Sequence, residues 1–132
     1  MIPFSPPRID VKVIAEVTAA LESGWITTGP RTKQFEKNIS AYCGAKTTVA
    51  VNSWTMGMQV LLHWWGIGPG DEVILPCPYW VSYADIVKLS DGVPVEVKTS
   101  IDNDFKMTPY QLEAAITPKT KMIWFSSPCN PS

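Results

Sequence analysis

Glu72-Val73-Ile74-Leu75, then the helical stretch Tyr79 to about Leu89, then Val93-Pro94-Val95-Glu96-Val97 is the passage that decides the fold. A short unbroken apolar run bounded by turn residues reads as a strand buried on both faces. A helix and a second strand after it make a β-α-β unit, and its two strands must lie parallel. Pro94 lacks an N–H, so the second strand belongs at a sheet edge. The same alternation extends outward. Thr48-Val49-Ala50-Val51-Asn52 reads as a strand and about Thr55 to Trp65 as a helix. Thr108-Pro109-Tyr110-Gln111 is a capping box opening a helix to about Ile116, and Lys121 to Ser126 is a last strand. Four strands alternating with helices predict an α/β fold: three layers, a mainly parallel four-stranded sheet, helices on both faces.

Two helices precede this core. Asp10 caps one that runs to about Ser23 and stops at Gly24, with Val13, Ile14, Val17 and Leu21 as its apolar stripe. After the Gly29-Pro30 break a second runs from about Arg31 to Tyr42, with Gly44 behind it. The expected organisation is one domain over residues 1–132, with N-terminal helices in 1–46 and the β/α core in 47–132.

Composition narrows the function classes. With 45% hydrophobic and 17% charged residues the chain is globular, and a net charge of −1 without a basic run leaves no footprint for nucleic acid. The apolar run around Val60 to Trp65 is too short to span a membrane, and no signal peptide is seen. The expected location is cytoplasmic. Cys43, Cys77 and Cys129 are odd in number and widely spaced, so neither a disulfide framework nor a metal site is predicted. Gly66-Ile67-Gly68-Pro69-Gly70 precedes a strand instead of following one, which makes it a turn and not a dinucleotide loop.

Asn52-Ser53-Trp54-Thr55-Met56-Gly57 joins a strand to a helix N-terminus. Free N–H groups and the helix dipole there attract phosphate, and Ser53 and Thr55 add hydroxyls; the plain alternative is a strand-to-helix turn filled for packing. The helix from Thr55 to Trp65 is apolar nearly all round and demands cover on more than one side. Trp54, Met58, Trp64 and Trp124 are therefore expected to be largely buried, within the chain or against a second copy.

Ile2 to Pro76 resembles the DegT-type nucleotide-sugar aminotransferases through Ser23-Gly24-Trp25-Ile26-Thr27-Thr28-Gly29-Pro30, Phe35-Glu36-Lys37, Tyr42-Cys43-Gly44-Ala45, Val51-Asn52-Ser53 and Gly68-Pro69-Gly70-Asp71-Glu72-Val73-Ile74. Within that group it looks like enzymes acting on a UDP-linked 4-keto pentose. From Pro78 onward, Pro78-Tyr79-Trp80-Val81-Ser82-Tyr83, Gly92-Val93-Pro94-Val95, Ala114 to Lys121 and Phe125 to Ser132 look like bacterial aspartate aminotransferases. The two resemblances together imply an engineered chimera joined at Pro76–Pro78, on a truncated large domain of the type I pyridoxal-phosphate fold.

The resemblance implies four cofactor-binding residues, vestigial here. Ser53 and Thr55 stand at the phosphate turn, Trp80 stands where an aromatic stacks on the pyridine ring, and Asn130 stands where an asparagine meets the phenolic oxygen. It also implies that the Schiff-base lysine, the aspartate for the pyridine nitrogen and the small domain are absent. The expected function is a scaffold without catalysis and without bound cofactor; the alternatives are a residual phosphate or pyridoxal-phosphate binder, or a fragment of an active aminotransferase. With part of the parental sheet missing, the implied strand order is 3-2-4-1, within one chain or exchanged in a homodimer.

Overall fold

The computed structural model describes residues 5–129, and the chain divides into two units, Met1–Ala50 and Val51–Ser132. In the first, Asp10 accepts from the N–H groups of Lys12 (3.0 Å) and Val13 (3.1 Å) and so starts α1 (Val11–Glu22). Gly24 follows at φ +68°, a conformation glycine adopts without a Cβ penalty. Pro30 opens α2 (Pro30–Cys43), and Gly44 ends it in the left-handed region. Arg31 pairs with Glu16 at 2.8 Å across the two helices. Both side chains are solvent-exposed, so the pair contributes at most about 1 kcal/mol. Neither helix has a buried residue, and the α1 stripe of Val13, Ile14, Val17 and Leu21 lies open.

The second unit holds α3 (Trp54–Trp64), β1 (Glu72–Cys77), α4 (Ser82–Leu89), β2 (Val93–Lys98), a 3-10 turn at Ile101–Asn103, α5 (Pro109–Ala115) and β3 (Thr120–Ile123). The sheet is parallel, in the order β2-β1-β3. Central β1 is fully enclosed at Val73, Ile74 and Leu75. Val73 and Leu75 pack with Leu62 of α3 and with Tyr83, Ala84, Ile86 and Val87 of α4. Alternation sends Pro76 and Ile123 to the other face, where Leu112 of α5 lines the same cavity. Val93 donates its N–H to Asp71 O at 2.7 Å on the β1 side. Pro94, one residue on, therefore turns its missing donor to the open edge.

The sheet has three strands, not the expected four. Residues 48–52 form no strand, so the order 3-2-4-1 is not what the chain makes. Within the first unit α2 holds this segment with side chains: Ala50 N–H donates to Glu36 Oε1 (2.9 Å) and Ser40 Oγ donates to Thr48 Oγ1 (2.8 Å). Val49 and Val51 stay exposed. The helix expected from Tyr79 begins only at Ser82, because Tyr83 N–H turns back to Trp80 O at 2.9 Å and leaves Tyr79–Val81 as a loop.

The tryptophans differ from expectation as well. Met58 and Trp124 are partly buried against the core, but Trp54 is 52% exposed and Trp64 77%. Only Leu62 of α3 is fully enclosed; Met58 packs partly against the core, and Trp54, Met56, Val60, Leu61 and Trp64 are exposed. Replacing Ile74 by alanine should cost about 2–5 kcal/mol in urea denaturation, whereas Trp64→Ala should stay within about 0.5 kcal/mol.

The turn before β1 is locked by a charge. Asp71 Oδ2 accepts from Lys121 Nζ (2.9 Å) and from Gly68 N–H (2.9 Å), and Lys121 also donates to Gly66 O (3.0 Å). The bond from Lys121 holds the Asp71 carboxyl below its ordinary range, against an opposing effect of desolvation. A carboxyl lowered in the folded state stabilises fully above its unfolded range, and that contribution fades as pH falls through its folded value. Acidification from neutral pH to about pH 3 should therefore lower the melting temperature more for the parent chain than for Asp71→Asn.

Candidate functional site at the carboxyl end of the sheet

Beyond the carboxyl ends of β1 and β3, four aromatic rings meet. Tyr83 stacks on Trp124 (centroids 4.7 Å, interplanar angle 20°), and Trp54 tilts against both, at 5.7 Å from Tyr83 and 6.0 Å from Trp124. Tyr79 stacks on Tyr83 from the loop (6.2 Å, 11°). Contacts of this geometry add about 0.5–1.5 kcal/mol each beyond their buried area. Trp54, Met58, Trp80, Tyr83, Trp124, Phe125 and Ser126 line a cavity of about 440 Å³.

Trp80, 42% exposed, thus stands at a cavity wall rather than in the core. Ser53 is the N-cap of α3, its hydroxyl accepting from Met56 N–H at 3.2 Å, a cap worth about 0.5–2 kcal/mol. Thr55 lies exposed in the first turn. Neither Ser53 nor Thr55 lines the aromatic cavity, although Trp54 between them does. The Trp54 ring is engaged with Tyr83 and Trp124. Asn130 lies outside the described residues.

Sequence reasoning missed Tyr83 and Trp124, which line the same cavity as Trp80. The signal was present: Trp80 and Tyr83 are three residues apart at a helix start, and Trp124 directly follows the last strand. It also missed how the loop is held. Thr99 donates its hydroxyl to Cys77 O, the Tyr79 hydroxyl donates to Glu96, and Cys129 Sγ donates to Pro78 O at 3.2 Å. Burial first, then the carboxylate of Glu96, pushes the Tyr79 hydroxyl far up from its ordinary value. Burial likewise raises the Cys77 thiol, with Glu96 adding to the effect and Lys98 opposing it. A phenol held neutral is a donor, not a base, and a thiol held protonated is a poor nucleophile.

A second cavity, about 570 Å³, opens on the α5 face between Pro76, Phe105, Met107, Leu112, Ile123 and Phe125. Lys106 stands at its wall, bonded to Asp104 at 3.2 Å. No lysine lines the cavity that holds Trp80. Among the described residues there is no cluster of three or more metal-ligating side chains, and no helix is long and apolar enough to cross a membrane.

Comparison with known proteins places this geometry. Residues 7–126 match the DegT/DnrJ/EryC1/StrS aminotransferase family, straight across Pro76–Pro78. The chain is 43% identical over 122 residues to the Bacillus subtilis spore coat polysaccharide biosynthesis protein SpsC, which covers 92% of this chain and 31% of SpsC. Its fold superposes on the PLP form of Spr1654 from Streptococcus pneumoniae, described as a sugar aminotransferase, with a TM-score of 0.81 and 43% identity over 92% of this chain. A Thermus thermophilus aspartate aminotransferase variant is 44% identical but covers only 58% of this chain, with a TM-score of 0.51.

One family therefore accounts for both sides of the supposed junction, and nothing in these matches calls for an engineered splice. The chain spans about a third of the length of SpsC and of Spr1654, 31% in each case. The family's cofactor is pyridoxal phosphate. The chain belongs to the DegT/DnrJ/EryC1/StrS aminotransferase family.

Proposed function

We propose that this chain is a portion of a pyridoxal-phosphate-dependent sugar aminotransferase that carries the phosphate and ring-stacking side of the cofactor site, and that it does not transaminate by itself. The observation that carries the reading is the placement of Trp80 and the N-terminus of α3 at the carboxyl end of one parallel sheet, where open α/β sheets bind ligands.

The residues fit one side of the cofactor. Met56 N–H is taken by Ser53 and Gly57 N–H by Ser53 O, so the earlier amides of α3, at Trp54 and Thr55, are the ones left for a phosphate. Thr55 adds a hydroxyl, and the half-exposed face of Trp80 suits a flat ring. Asn130 would serve the ring's phenolic oxygen by resemblance. Pyridoxal phosphate, when bound, supplies the electron sink for chemistry at the carbon bearing the amine. The side that fails to fit is the amine: no lysine faces the cavity. The finer substrate reading, a UDP-linked 4-keto pentose, rests on the phrases within residues 2–76.

Adding pyridoxal phosphate to the chain should give weak binding, in the range of about 1 mM, and no borohydride-reducible adduct at the aromatic cavity. Amino transfer from glutamate to a keto sugar should not exceed that of free cofactor. Turnover that rises in proportion to protein concentration would overturn the reading. The apolar residues left open on α1 and α3 favour association with a second copy, and light scattering across a concentration series checks that expectation.

A further inference from the structure

Four consecutive residues, Cys77 to Trp80, carry the chain from β1 to the cavity wall, and a hydrogen bond from outside the segment or to another element holds each of them. Thr99 holds the Cys77 carbonyl, Cys129 the Pro78 carbonyl, and Tyr83 N–H the Trp80 carbonyl. These three bind backbone oxygens. The fourth is different in kind: the Tyr79 side chain reaches across to a charged group, Glu96 of β2.

Glu96 is an odd residue for its strand. β2 is otherwise apolar from Val93 to Val97, and register places Glu96 beside Leu75, on the face where Leu75 packs with α3 and α4. A carboxylate there gains nothing from packing. Among the described residues it enters no salt bridge, although Lys98 lies two positions along the same edge strand. Its recorded partner is the Tyr79 hydroxyl. A hydrogen bond to an ionised acceptor is roughly twice as strong as a neutral one. The Tyr79 ring is fixed on its other side by the near-parallel stack on Tyr83, which in turn stacks on Trp124.

We propose that Glu96 is a positioning residue for Trp80: by holding the Tyr79 hydroxyl it clamps the Tyr79 ring on Tyr83 and so fixes the indole next to it as one wall of the aromatic cavity. Glu96 touches no ligand in this role. It acts from the edge strand, through Tyr79, on the orientation of Trp80. The clamp itself stands on the geometry alone; its consequence for ligand affinity rests on the cofactor reading above.

The test labels the 132-residue chain with 5-fluorotryptophan and follows its six indoles by fluorine NMR. Trp80→Phe assigns the Trp80 signal. Tyr79→Phe keeps the ring and its stack but removes the hydroxyl, and Glu96→Ala removes the acceptor from an exposed position. Each should shift and broaden the Trp80 signal while leaving those of Trp25, Trp64 and Trp65 in place. The double variant should add nothing further, and Glu96→Gln, which keeps an acceptor oxygen, should restore most of the parent signal. In parallel, Glu96→Ala and Tyr79→Phe should weaken pyridoxal-phosphate binding about five-fold, with no further loss in a Trp80→Phe background. An unmoved Trp80 signal in both single variants overturns the proposal. So does a displacement of all six signals with a lowered melting temperature, which marks a merely structural residue. Absence of pyridoxal-phosphate binding by the parent chain overturns the cofactor reading, while the fluorine signals still decide the clamp.

Discussion

The structure depends on one strand. β1 is the only strand of the sheet with a neighbour on each side, and its residues Val73, Ile74 and Leu75 are sealed on both faces. A buried strand must have its backbone groups paired, because an unpaired N–H or C=O away from water costs as much as a lost hydrogen bond. β2 and β3 meet that demand along its two edges, and α3, α4 and α5 supply apolar cover. The other elements of the second unit are placed by this requirement. The Gly66–Asp71 turn delivers the chain into β1, and Lys121 on β3 locks that turn through Asp71. Gly92 completes the return from α4: a Cβ there would stand 2.8 Å from Ile67 Cγ2 and 3.0 Å from Val87 Cγ1, so the strand entrance closes only with glycine.

From that strand the candidate site follows directly. All strands run the same way, so the loops after β1 and β3 emerge at the same end, and each carries an aromatic residue there. Trp80 comes from the first loop and Trp124 from the second. Tyr83, in the first turn of α4, fills the space between the loops, and Trp54 at the start of α3 closes it. The cavity wall is therefore a product of topology. The residues that form it are distant in sequence, and parallel pairing alone brings them together.

The sequence disclosed the elements better than their partners. Caps and stops were legible because they are local: Asp10, Gly24, Gly44 and the Thr108–Gln111 box act within a few residues of themselves. The apolar run of β1 was legible for the same reason. What failed was everything that depended on a distant neighbour. Thr48–Asn52 has the composition of a strand, but Glu36 and Ser40 hold the segment by side chains instead. Trp64 has the composition of a core residue, but α3 encloses only Leu62. At the site, Trp80 was legible through resemblance, while the ring partners Tyr83 and Trp124 and the bond from Tyr79 to Glu96 required the fold. The change of family inferred at Pro76–Pro78 was an error of the same sort. Short phrases shared among relatives of one fold were read as a boundary, whereas a single family extends across it.

On the proposed reading, the cofactor site divides into a side that holds the cofactor and a side that reacts. Holding a phosphate needs backbone donors at a helix start, and holding a flat ring needs an aromatic face. On that reading, both would come from residues close to β1 and α3, namely Thr55 with the first amides of that helix and Trp80. The amine that completes the chemistry has no counterpart at the cavity that holds Trp80. Trp80 itself is tied to the second unit by its carbonyl, which accepts from Tyr83 N–H, and by its place in one cavity wall with Tyr83 and Trp124.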